Sequence, residues 1–122
     1  MRHLTIYQNA HIAFDSIPSS GLLEPPAATP LSGKIETWTY ELFAQANRGS
    51  SVGFWKAEVG RSHWTFEDYN EVIYVLAGRL VVTQEGGESV RLGPGDVAVF
   101  PVGWKGEWDV QEELKKFYVV YS

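Results

Sequence analysis

From Lys34 onward, apolar and polar residues alternate with a period close to two, the spacing at which side chains fall on opposite faces of a β-strand. Ile35 to Phe43 and Val52 to Val59 are aromatic and β-branched, and Asn47-Arg48-Gly49 between them supplies a turn, so a hairpin is expected. A further strand runs from about Glu71 to Leu76, turns at Ala77-Gly78, continues from Arg79 to Gln84 and reverses at Glu85-Gly86-Gly87-Glu88, where paired glycines permit positive φ. Ser89 to Leu92, Val97 to Phe100, Glu107 to Val110 and Lys116 to Tyr121 complete a series of short strands. Arg61 to Asn70 reads as a loop, Glu112 to Lys116 as at most one polar turn, and no segment keeps a helical period. Short strands at regular spacing predict an all-β sandwich or small barrel.

Residues 1–33 differ in character. Ser16 to Gly33 places Pro18, Pro25, Pro26 and Pro30 among Ser, Gly and Ala, which reads as an irregular arm. Before it, Leu4, Ile6, Ile12 and Phe14 alternate with polar neighbours and could form a short edge strand. The expected organisation is an N-terminal arm, 1–33, and one barrel domain, 34–122.

Composition then narrows the classes of function. The chain has 122 residues, a formal charge of -5 and a sequence pI near 5.1, so it lacks the clustered Lys and Arg that a nucleic-acid partner requires. Without cysteine it forms no disulfide and offers no thiolate nucleophile or thiolate metal site. Met1 to Ala10 lacks the apolar core of a signal peptide, and no apolar run reaches membrane length. No membrane partner and a cytoplasmic location are expected.

The residues at the turns resemble the two signature motifs of the cupins. The first cupin motif has a Gly, two His separated by one residue, a Glu a few residues later and a Gly seven positions after it; Glu71 and Gly78 have that spacing. The second runs Gly, five residues, Pro-x-Gly, two residues, His, three residues, Asn, and is matched by Gly95, Pro101 and Gly103. The likeness extends over Val52 to Tyr121. It is strongest with the subfamily that includes a ureidoglycine aminohydrolase cupin domain: Glu71, Tyr74, Val75, Leu76 and Gly78, then Pro94, Gly95, Asp96, Phe100, Pro101, Gly103, Gly106, Trp108, Val110, Lys116 and Tyr118. The resemblance implies an antiparallel double-stranded β-helix, a jelly-roll barrel.

The same correspondence removes most of the metal ligands. The two His positions fall on Trp64 and Phe66, or on Thr65 and Glu67 with a spacer one shorter, and the third falls on Gly106. Only Glu71 remains, whereas a divalent transition metal needs about three or four N/O ligands. No metal cofactor is expected. The alternative is manganese, nickel or zinc at His63 and Glu71, with a bulge turning His63 inward; otherwise His63 is a partly exposed loop residue. His3 and His11 precede the barrel and read as surface residues.

Alternation groups Glu71 with Ile73 and Val75, Trp55 with Ala57 and Val59, and Gly106 with Trp108 and Val110. Trp55, Trp64, Phe66, Glu71, Trp108, Lys116 and Tyr118 are the expected pocket residues, around space left by Gly106, and would suit a small, partly apolar or planar molecule. The plainer alternative is that the tryptophans simply fill the barrel. Glu71 in such a setting needs a partner cation. Lys116 is the candidate, provided that no turn at Glu112-Glu113 breaks the alternation from Trp108 and Val110.

Three functions follow. The first is a metal-independent small-molecule-binding cupin acting as sensor, carrier or accessory subunit. The second is a cupin enzyme, either ureidoglycine aminohydrolase-like or a metal-free isomerase or epimerase with Glu71 or His63 as base and Tyr74 or Tyr118 as acid. The third is a structural or interaction barrel with a vestigial pocket. A homodimer is expected by analogy with other cupin-like barrels.

Overall fold

The structure is a computed structural model and describes residues 4–8, 14, 16–45, 47 and 49–122. Its strands are β1 (Ser19–Leu22), β2 (Ala28–Pro30), β3 (Glu36–Gln45), β4 (Ser50–Ala57), β5 (Gly60–Thr65), β6 (Asn70–Gln84), β7 (Ser89–Leu92), β8 (Val97–Phe100) and β9 (Lys105–Tyr121). All pair antiparallel in one rolled sheet, the all-β jelly-roll arrangement expected from the alternation.

Two long strands organise it. One edge of β9 pairs with β4 through Leu114 to Val120 and with β5 through Lys105 to Val110; its other edge pairs with β6. The far edge of β6 carries β8 beside Glu71 to Tyr74 and β7 beside Leu80 to Thr83. Each half of the barrel is thus a stack of short strands on one end of the β6–β9 ribbon.

The expected turn at Ala77-Gly78 is a bulge inside β6. The register to β9 shifts between Val75 and Ala77, between Ala77 and Arg79, and between Arg79 and Leu80. Gly78 sits there at φ 93°, and a Cβ on it would collide with the Glu113 carbonyl. The irregularity changes which residues face inward: Glu71, Ile73 and Val75 before it, Leu80 after it, are all buried. No such change occurs in β9, where Gly106, Trp108, Val110, Leu114, Lys116 and Tyr118 are all buried. The polar turn expected at Glu112 to Lys116 is therefore continuous strand, exposed at Gln111 to Glu113 opposite the bulge.

Two further readings are corrected. The Arg61 to Asn70 loop begins with a full strand, β5, whose period-two signal was thin because Arg61, Ser62, His63 and Thr65 are polar. Val59, expected to face inward with Trp55 and Ala57, is 58% exposed just beyond the end of β4. The arm also joins the sheet rather than merely leading into it: β1 pairs with β3 at one edge and β2 with β5 at the other. Residues 4–8 form no strand, and Ile12, His3, His11 and Arg48 lie outside the described residues.

The sheet buries apolar residues on both faces. The inner cluster includes Ile35, Ala57, Trp64, Phe66, Ile73, Val75, Leu80, Phe100, Trp108 and Leu114. On the outer face Phe54 packs with Phe14 and Ile17 of the arm, alongside Trp38, Leu42, Leu76 and Phe117. Inward alternation on β4, β5, β6 and β9, drawn from both halves of the barrel, positions the site.

Candidate functional site

In the barrel interior, on the half that carries β4 and β8, lies a buried ion pair. Lys116 Nζ donates a hydrogen bond to Glu71 Oε2 at 2.7 Å, with Glu71 only 5% and Lys116 only 2% exposed. The pairing follows from register. Val75 lies opposite Lys116 across β6–β9, and Glu71, four residues earlier on the same face, reaches it by the length of both side chains.

The ammonium is enclosed by indole rings. Its Nζ lies 4.3 Å from the Trp55 ring centroid, 4.7 Å from Trp108 and 5.7 Å from Trp64. Trp55 lies directly opposite Lys116 across β4–β9, which explains its approach. Trp64 and Trp108 stack at 4.1 Å, and Trp55 stands nearly perpendicular to both. The negative faces of the rings replace part of the hydration that the cation loses. Burial nevertheless lowers the Lys116 pKa from the ordinary lysine value, while the Glu71 charge and hydrogen bond pull it back upward.

A cavity of about 210 Å³ opens onto this pair. Glu71, Lys116 and Tyr118 supply polar atoms, and Trp55 and Trp64 supply walls. Leu23 and Ala27 of the arm, Thr39 of β3, Val120 of β9 and Tyr69 complete the lining. Burial, then the Glu71 charge, raise the Tyr69 pKa. Tyr118 is pushed up to about 12 by burial first, then by the charges of Glu41 and Glu71, against a lowering hydrogen bond with Ser51. Tyr118 is therefore a neutral O–H donor across the physiological range.

Of the expected pocket residues, Trp55, Trp64, Glu71, Lys116 and Tyr118 meet at the cavity. Phe66 and Trp108 are fully buried behind it: Phe66 stacks on Phe100, and Trp108 on Trp64. The filling role of the tryptophans and their walling role thus fall on different rings. Among the described residues the indole N–H of Trp108 has no hydrogen-bond partner, whereas that of Trp64 donates to Ser62 Oγ at 2.9 Å. Gly106 does not open the cavity as expected, because the Trp104 ring occupies the space beside its Cα and a Cβ there would also meet the Thr83 carbonyl.

Two catalytic candidates are not brought to the pair. His63 alternates with the inward Ser62 and Trp64, and its Nε2 lies 3.8 Å from Glu85 on the outside. The bulge that would have aimed it at Glu71 is absent from the β5–β9 register. Tyr74 lies between the inward Ile73 and Val75 and is 43% exposed. Neither faces the Glu71 cavity. The residues present do not fit the metal site of the resemblance: the motif positions carry Trp64, Phe66 and Gly106, and the surviving carboxylate is bonded to an ammonium. Among the described residues no three His, Cys, Asp or Glu side chains converge.

The sequence model of the EutQ-like cupin domain matches residues 44–118. Among solved structures, the Clostridium difficile EutQ protein is 26% identical, with a TM-score of 0.61 over 71% of this chain and 63% of that one. A protein of unknown function from Pseudomonas syringae pv. tomato aligns at 20% identity and a TM-score of 0.72, over 86% of this chain and 44% of that one. A Thermotoga maritima protein of the same uncharacterised family is 37% identical over 53% of this chain and 73% of that one, with a TM-score of 0.50. The chain thus spans less than two thirds of the first two proteins. No curated protein matches it in sequence. No helix among the described residues is long and apolar enough to cross a membrane.

Proposed function

The chain belongs to the EutQ-like cupin domain family, and from that premise we propose that it binds a small, partly apolar or planar metabolite at the Glu71–Lys116 cavity without a metal ion. The observation that carries this reading is the bonded pair itself, placed on the wall of a cavity and walled by tryptophans. In a metal-dependent barrel a cation in the interior balances the carboxylate and attracts the ligand's electronegative atoms. Here the Lys116 ammonium supplies that charge from within the chain. Flat indole faces favour a planar ligand, and the protonated phenols of Tyr69 and Tyr118 offer hydrogen bonds to its polar end.

The ureidoglycine aminohydrolase likeness points instead to an enzyme with manganese held by His, Glu and Gln. Of that set only Glu71 is present, and its bond to Lys116 disfavours the enzyme reading. The test is metal analysis of protein produced with added manganese, nickel and zinc, followed by a screen of small planar compounds for tryptophan quenching. Substoichiometric metal and saturable quenching are expected. Metal bound one to one would overturn the proposal.

A further inference from the structure

Resting on that reading of the cavity, we infer that Lys116 captures a small aldehyde or ketone as a Schiff base, with Glu71 carrying the protons. The ligand class follows from what the cage can hold. It is built around one cation facing one carboxylate, and a protonated imine on Lys116 keeps that charge where it is. Capture thus adds no buried charge and breaks no cation–π arrangement, while an apolar planar substituent gains indole walls. Amine nucleophiles are activated in such desolvated pockets, and burial favours the uncharged amine of Lys116.

The 2.7 Å hydrogen bond provides the proton path. Lys116 first passes a proton to the Glu71 carboxylate. The amine lone pair then forms the C–N bond as the carbonyl π pair moves to oxygen, which takes the proton from Glu71. Glu71 next removes a proton from the new C–N nitrogen and returns it to the hydroxyl. That group leaves as water as the nitrogen lone pair forms the C=N bond. One carbonyl compound is consumed and one water released, the carboxylate is regenerated, and no oxidant or reductant takes part.

The neighbouring Lys115 shows why the assignment is specific. It faces the outer surface of the same strand, where its Nζ lies 5.8 Å from the Phe14 ring, away from the Glu71 cavity and from the Glu71 carboxylate that Lys116 holds.

The test uses the full chain with benzaldehyde. Without reductant, reversible quenching of tryptophan fluorescence reports occupancy of the cavity. With sodium cyanoborohydride, the imine is fixed as a benzyl group and located by peptide mass mapping. A single adduct on Lys116, with Lys34, Lys56, Lys105 and Lys115 unmodified at the same dose, is the expected result. It should disappear in Lys116→Arg, and in the charge-neutral double variant Glu71→Met with Lys116→Met should the single variant fail to fold. Quenching without an adduct on Lys116 would overturn the Schiff base and leave the ligand cavity standing. Adducts spread evenly over the lysines would overturn it as well, and absence of both signals would overturn it together with the planar-ligand reading.

Discussion

Lys115 and Lys116 are consecutive residues of one strand, both near aromatic rings, and they sit in opposite environments. Lys115 lies half-buried on the outer face, where the arm residue Phe14 packs on Phe54. Lys116 lies on the inner face, buried, ringed by three indoles and bonded to Glu71. Alternation alone separates them. On the outside a cation over a ring is a minor addition to packing, whereas on the inside burial strips the same group of most of its exposure to bulk water, and its partner becomes indispensable.

The largest effect expected from this contrast is in Lys116→Met. It strands the Glu71 carboxylate in an apolar enclosure and should cost about 3–5 kcal/mol in urea unfolding. A cost below about 1 kcal/mol would place the two lysines in the same class.

A smaller effect comes from the inward-facing Tyr118, whose phenol is held at about 12. The unfolded chain loses this proton near the ordinary value of about 10, while the folded chain keeps it, so stability falls as pH rises from about 10 to about 12. The full loss is about 2–3 kcal/mol, and Tyr118→Phe should abolish that part of it. Urea midpoints measured at intervals across the window, for both proteins, read the difference directly.

On the outer face Phe54→Leu keeps most of the buried volume and should cost about 1 kcal/mol. It should leave benzaldehyde quenching unchanged, because Phe54 points away from the cavity. Lys115→Met is the smallest change, below about 1 kcal/mol, and is read in the same unfolding assay.

Much of this contrast was legible before any coordinates. Period-two alternation located β3, β4, β7 and β8, and the spaced Gly and Pro of the motifs placed Glu71 inside the barrel. What stayed hidden depends on continuity and closure. Glu112 and Glu113 look like turn residues, yet β9 runs through them because they face solvent opposite the Gly78 bulge, and only that unbroken run brings Lys116 inward. The polar stretch Arg61 to Thr65 concealed β5, and with it the outward direction of His63. Tyr69, Thr39 and Leu23 enter the cavity lining because the rolled sheet and the arm bring distant segments together, which no local period records.

The central claim is that Glu71 and Lys116 act as one buried unit, and a double-mutant cycle tests it most directly. Unfolding free energies of the wild type, Glu71→Met, Lys116→Met and the double variant should reveal a coupling of at least about 2 kcal/mol, with the double variant closer to wild type than either single variant. Costs that add to within about 0.5 kcal/mol would contradict it.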